Sequence, residues 1–358
     1  MSTIRLNPGT DKLTDTQKVT SGYFTGGSGQ LNAADIYTGS LSSTNEEYYF
    51  NITQTHPLSS SATTQFSVAY GHVGGSGSKI ESGTKGETEA VYKQWAVNLL
   101  SENEVSGGFI IDGSTRDDDI YVLVGKRSLF KDRINKGNWT IALSGSGGPG
   151  FVGDGAYSGS KILHLTDDSK TTVATHTVAG PRYNIYSGSD GTVTNTTHKY
   201  GWIYPELGTM IFSGNKLALQ ISGVGIGTGS AAHFDSGSYM GFKPYAGTAL
   251  DGRNALRFVN CLQPGGAYLK FRSEEDQNST SYFCRVFANQ MNFSNNPTFV
   301  SGSYNELKHT SMWGNPTVYI SSIGLYDDSG NLVAIGKLST ALKKNFSSEA
   351  TIKVKLTY

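Results

Sequence analysis

The chain has 358 residues, room for two or three domains at roughly 150 residues each. Its 29 basic residues balance 29 acidic ones, so no global field draws it to nucleic acid or to an anionic membrane, and we expect neither as a partner. Hydrophobic content is only 37%, but Tyr 20, Phe 16 and Trp 4 supply bulky core area, and 45 glycines without a fixed period exclude a collagen-like chain and point to many tight turns between many strands.

Residues 1–45 are polar, rich in Ser, Thr and Gly, with isolated apolar anchors such as Ile4, Leu6, Val19, Tyr23 and Phe24. Such a segment buries too little to fold alone and reads as an extended N-terminal arm that orders against a neighbour. The first residues lack a basic stretch followed by an apolar run, and no apolar run approaches the roughly 20 residues that span a bilayer. The expectation is a protein made and assembled in a cytoplasm.

Residues 46–145 read as a β-rich domain with one helix. Glu46–Gln54 and Thr64–His72 alternate, with Tyr48, Phe50, Ile52 and Phe66, Val68, Tyr70 each on one face. From Thr88 to about Glu102, Val91, Trp95 and Leu99 recur at helical spacing beside Tyr92, Ala96 and Leu100, with Glu87 and Glu89 at the start. Phe109–Gly113, Ile120–Val124 and Asn138–Leu143 read as further strands, and the Gly-rich stretch Gly145–Gly155 as the first domain break. A middle β unit, 146–230, follows, with strands at Ile162–Leu165, Thr172–Val178, Arg182–Tyr186, Tyr200–Tyr204, Met210–Phe212 and Leu217–Ile221. The last unit, 231–358, has a short helical turn or strand at Ala255–Val259 and strands at Tyr268–Arg272 and Tyr282–Phe287. It ends in a hairpin. There Val318, Ile320, Ile323 and Leu325 precede the turn cluster Asp327–Asn331, Leu332, Ala334 and Leu338 resume the pattern, and Ile352, Val354 and Leu356 form a final alternating strand. The fold class is therefore mainly β: multi-domain antiparallel sheets or sandwiches with one main α-helix.

Tyr319–Asp328, Leu332–Ser339 and Lys343–Phe346 together resemble a C-terminal signature of virion structural proteins from contractile-tailed, cyanophage-like bacteriophages. Ala90–Trp95 with Asn98–Leu100, Asp119–Leu123 with Asn138–Ser144, and Tyr200–Gly208 are similar islands. They cover the frame of the chain and leave the loops between unmatched. The resemblance implies a structural component of a virion in the tail, baseplate or collar, with other virion proteins and copies of itself as partners in a symmetric particle. It brings no catalytic residues.

The residues themselves offer little chemistry. Gly145–Gly150 has dinucleotide-fingerprint spacing, but Pro149, Gly153 and Gly155 oppose the helix such a site needs. No Walker loop, His-Glu-x-x-His pair or Gly-x-Ser-x-Gly elbow is present, and the seven histidines, among them His56, His72, His164 and His176, are dispersed. Asp117–Asp119 and Asp327–Asp328 lack calcium-loop spacing. Glu206, Glu274 and Asp276 suggest no carboxylate pair from sequence. Lys126, Arg127, Lys131 and Arg133 read as a solvated face, and Cys261 and Cys284 are too few for a disulfide framework. We therefore expect no enzyme, no cofactor and no metal, but an assembly protein whose interface is the hairpin: Tyr319, Ile320, Ile323, Leu325, Tyr326, Leu338 and Phe346. The alternatives are a receptor- or glycan-binding fibre module, for which Trp202, Tyr204 and Tyr239–Tyr245 would be the stacking aromatics, and a capsid decoration protein.

Overall fold

Many apolar runs bounded by Gly, Asn and Asp turns become strands among the described residues. The computed structural model describes residues 4–26, 29–38, 49–78, 86–146, 160–221, 242, 253–302 and 304–358. In order, these form β1 (Lys12–Tyr23), β2 (Leu31–Asn32), β3 (Tyr49–Thr53), β4 (Thr64–His72), α1 (Glu87–Leu99), α2 (Glu102–Val105), β5 (Asp119–Gly125), β6 (Arg133–Ile134) and β7 (Thr140–Ser146). Then come β8 (Ser160–Asp167), β9 (Thr175–Thr177), β10 (Gly180–Ser189), β11 (Thr192–Asn195), β12 (Gly201–Tyr204), β13 (Thr209–Ser213), α3 (Gly214–Gln220) and α4 (Arg253–Asn260). The chain ends with β14 (Tyr268–Lys270), β15 (Arg272–Val286), β16 (Val300–Ser301), β17 (Glu306–Leu307), β18 (Val318–Tyr326), β19 (Leu332–Lys344) and β20 (Ala350–Thr357). The protein is mainly β, with antiparallel sheets.

Two units divide the chain: Val19–Glu275, and Met1–Lys18 with Asp276–Tyr358. The four successive segments expected from the sequence do not coincide with them. The breaks after 145 and 230 fall inside the larger unit, because β7 pairs with β8 across the Gly-rich stretch and one sheet continues through both. Residues 147–159, Ser222–Ser230 and all of Tyr239–Tyr245 but Phe242 lie outside the described residues.

The larger unit holds a curled sheet in the order β2-β14-β7-β8-β10-β12-β13-β5-β4-β3, with β9 and β11 also on β10. Its central strands are near-continuous apolar runs because both faces are covered. Tyr121, Leu123, Ile203, Met210 and Phe212 point into one cluster with Trp139, Phe258 and Phe271. Ile120, Val122, Trp202, Tyr204 and Ile211 alternate to the other face, under Tyr92, Ala96, Leu99, Phe109 and Ile111. Helix α1 lies so close on β4 that a Cβ at Gly71 would sit 2.9 Å from the Tyr92 backbone nitrogen.

Several sequence expectations change here. The buried face of α1 is Thr88, Tyr92, Ala96 and Leu99, with Val91 and Trp95 only half-buried at its flanks. Tyr92 turns inward because its hydroxyl donates to Asp117 O (2.9 Å) and accepts from Phe109 N (3.0 Å). Phe109–Ile111 forms no strand. Leu217–Ile221 is not a strand: Ser213 caps α3 by accepting from Lys216 N at 3.2 Å, and Leu217 reaches the core from that helix. Ala255–Val259 lies within α4, which packs on β3 and β4.

In the smaller unit β15 pairs with β20 from Ser279↔Thr357 to Val286↔Ala350. The expected N-terminal arm contributes β1, whose partner is β15 of the same chain: Phe283 N donates to Asp11 O at 2.8 Å and Thr16 to Asn278 at 2.7 Å. Phe299, Val300 and Val318, with Leu307 and Met312 against them, make a small separate core. β18 and β19 form a two-stranded sheet of their own.

Candidate functional site

The β18–β19 ribbon follows from its local sequence. Asp327 holds the turn by accepting from Asn331 N (2.7 Å) and Asn331 Nδ2 (2.9 Å), and Gly330 takes φ +83°. The hydrogen bonds from Asn331 hold the Asp327 carboxyl below its ordinary range. Cross-strand pairing places Ile323 opposite Gly336 and Leu325 opposite Ala334 on one face, with Leu338 next in the alternation. Tyr326, opposite Leu332, folds over Gly324, where a Cβ would meet Tyr326 Cε2 at 2.9 Å and Leu332 Cδ1 at 3.2 Å. Ile335, opposite Gly324, shares that face.

One face is open and the other is only partly shielded. Tyr319 is 62% exposed, Val333 63% and Ile335 71%, with Tyr326, Leu332 and Phe346 also exposed, while Ile320, Ile323, Leu325 and Leu338 are half-buried. Six of the seven predicted interface residues therefore come together on this ribbon. Phe346 does not join them, because β19 ends at Lys344. Sequence alternation missed Val333 and Ile335. Their signal was the unbroken run Leu332–Ile335, which puts apolar side chains on both faces of a strand.

The root of the ribbon is packed and hydrogen-bonded. Val318 packs into the small core, and Lys344 opposite it is fully buried. Its ammonium donates to Asn292 Oδ1 (2.7 Å), Asn345 O (2.8 Å) and Ala288 O (3.1 Å), which uses all of its donors. Nothing in the sequence around Lys344 announced this.

The other candidate groups serve the fold. Asp117 accepts from Ser213 Oγ and from Ile111 N (3.0 Å), and Asp119 accepts from Tyr70 OH. Burial pushes both carboxyls up, and it pushes the Tyr70 hydroxyl well up. His72 Nδ1 accepts from Gly74 N and Ser76 N, so the ring caps a turn, and burial lowers His164. Among the described residues no group of His, Cys, Asp or Glu is arranged to hold a metal. Three residues of the basic patch are paired within the chain: Arg133 binds Glu274 at 2.6 Å, Lys131 binds Glu275 at 2.6 Å, and Arg127 donates to Phe130 O at 2.7 Å. Trp202 and Tyr204 are core residues, with the Arg182 guanidinium 4.1 Å over the indole. Both cysteines are free, and burial raises both thiols. No helix among the described residues is long and apolar enough to cross a membrane.

Comparison with known proteins adds no relative. No protein-family model, curated protein or solved structure matches the chain.

Proposed function

We propose that this chain is a structural subunit of a bacteriophage virion, of the contractile-tailed type, placed in the tail, baseplate or collar and acting by assembly and not by catalysis. One observation supports assembly above the rest: a two-stranded ribbon with a packed root, whose apolar side chains are exposed on one face and only half-buried on the other. A lone two-stranded hairpin is marginal in water, and a further layer or strand completes it. An apolar surface of this kind marks an interaction site. The kind of particle comes from the resemblance of the ribbon and the core islands to virion proteins. Trp202 and Tyr204, the stacking aromatics a glycan-binding reading would use, are buried.

The test is immunogold labelling of purified phage particles with antibody to this chain. Label at the tail tip, baseplate or neck is expected. Label confined to fibres or spread over the head moves the chain to a receptor-binding or decoration role, and absence of label removes the virion reading.

A further inference from the structure

From the geometry of the ribbon we infer that the outer edge of β18 pairs, antiparallel, with the same edge of a second copy of this chain, about a two-fold axis at Ser322. The inference rests on the assembly reading above and names the partner.

Edge strands invite pairing, and proteins blunt them with charge, proline or cover. The long edge strands of the smaller unit differ in this respect. β1 carries Lys12, Asp15 and Lys18, β19 carries Lys337, Lys343 and Lys344, and β20 carries Lys353 and Lys355. β18, Val-Tyr-Ile-Ser-Ser-Ile-Gly-Leu-Tyr, has neither a charge nor a proline in nine residues, and among the described residues β19 is its only strand partner. Both irregularities in the ribbon fall on β19, where Ile320↔Leu342 is followed by Ser322↔Lys337 and Leu325↔Ala334 by Tyr326↔Leu332, so β18 itself runs without an insertion.

The charges of the ribbon fit an antiparallel copy. Its tip is acidic, at Asp327 and Asp328, and its root carries Lys343, opposite Tyr319. A two-fold axis at Ser322 sets the acidic tip of each ribbon beside the root of the other, whereas a parallel copy stacks tip on tip. The same axis sets Tyr319 opposite Leu325, Val318 opposite Tyr326 and the bulky Ile320 opposite Gly324. Moving the axis one residue toward the tip sets Tyr319 against Asp327. A self-complementary patch of this kind is what a closed dimer needs.

The experiment uses the full chain in a Cys284→Ser background. Ser322→Cys places two thiols directly opposite each other, at an antiparallel spacing of about 4.5–5.5 Å, within disulfide reach. Mild oxidation is expected to give a disulfide-linked dimer for Ser322→Cys and none for Thr351→Cys on β20. Light scattering is expected to give twice the chain mass for the parent, falling to the chain mass for Tyr319→Lys, whose exposed position spares the fold. Chain mass at every concentration with no cross-link from Ser322→Cys overturns the inference; incorporation of the chain into particles, scored separately, then still tests the assembly reading. A dimer that cross-links equally through Thr351→Cys, or not through Ser322→Cys, also overturns it, because the contact lies elsewhere.

Discussion

Replacing Lys344 by Met tests how the ribbon is held. The thioether fills much of the space of the lysine stem but donates nothing, so Asn292 Oδ1, Ala288 O and Asn345 O lose their shared donor. A hydrogen bond from a charged group contributes about 1.5–3 kcal/mol, and an acceptor left buried without a partner costs about 1–3 kcal/mol. With water reaching some of the carbonyls, the sum is about 3–5 kcal/mol, the size seen when one member of a buried charged network is removed. The small core beside Lys344 buries only Phe299, Val300 and Val318 fully and cannot absorb that loss. Hydrogen exchange followed by mass spectrometry reads it locally. Peptides covering 286–301 and 316–346 are expected to exchange about a hundredfold faster, or more, in Lys344→Met, while α1, β5 and β12 keep their protection. Unchanged exchange in the first two peptides refutes the anchoring role of the ammonium.

Three further outcomes follow from the larger unit. Gly201→Ala puts a Cβ 2.1 Å from the Ile211 carbonyl oxygen in the middle of the sheet, so urea melts are expected to lose about 3 kcal/mol; a loss below about 0.5 kcal/mol contradicts the packing described. Tyr92→Phe orphans the Phe109 N–H and the Asp117 carbonyl, at about 2 kcal/mol in the same assay; a neutral result means the hydroxyl does not organise the 109–117 loop. Burial raises the Asp167 carboxyl, against hydrogen bonds from Ser169 and Gly137 N. A raised folded value gives stability that is full below the unfolded value of about 4 and is lost as pH rises through the folded one. Asp167→Asn, a stand-in for the protonated acid, is therefore expected to grow more stabilising relative to the parent between about pH 4 and neutrality, and the opposite trend sinks the burial argument.

Much of the frame was legible because period-2 and period-3.6 patterns are local. Thr64–His72, Ile120–Val124, Tyr200–Tyr204 and the terminal hairpin lie where alternation put them. What failed was non-local. Leu217–Ile221 has a strand-like composition, and the cap at Ser213 with its tie to Asp117 makes it helical. Phe109–Ile111 is as apolar as a strand, but its partners are Tyr92 and Asp117, not another strand. The domain breaks followed glycine content, whereas the sheet runs on across those glycines. At the candidate site, Ile323 and Leu325 were visible by alternation, whereas Val333 and Ile335 belong to an unbroken apolar run that carries no alternation. The role of Lys344 depends on Asn292, 52 positions away, and no pattern carries that.

The central claim, assembly through the ribbon, is tested most directly by co-producing the parent chain with a Val333→Lys, Ile335→Lys variant and measuring the ratio of the two in purified particles. Both positions are exposed, so the variant is expected to remain folded in the free pool. Strong depletion of the variant from particles relative to that pool is the predicted result. Equal incorporation contradicts the account, because two charges placed at exposed apolar positions of the ribbon would then meet no partner.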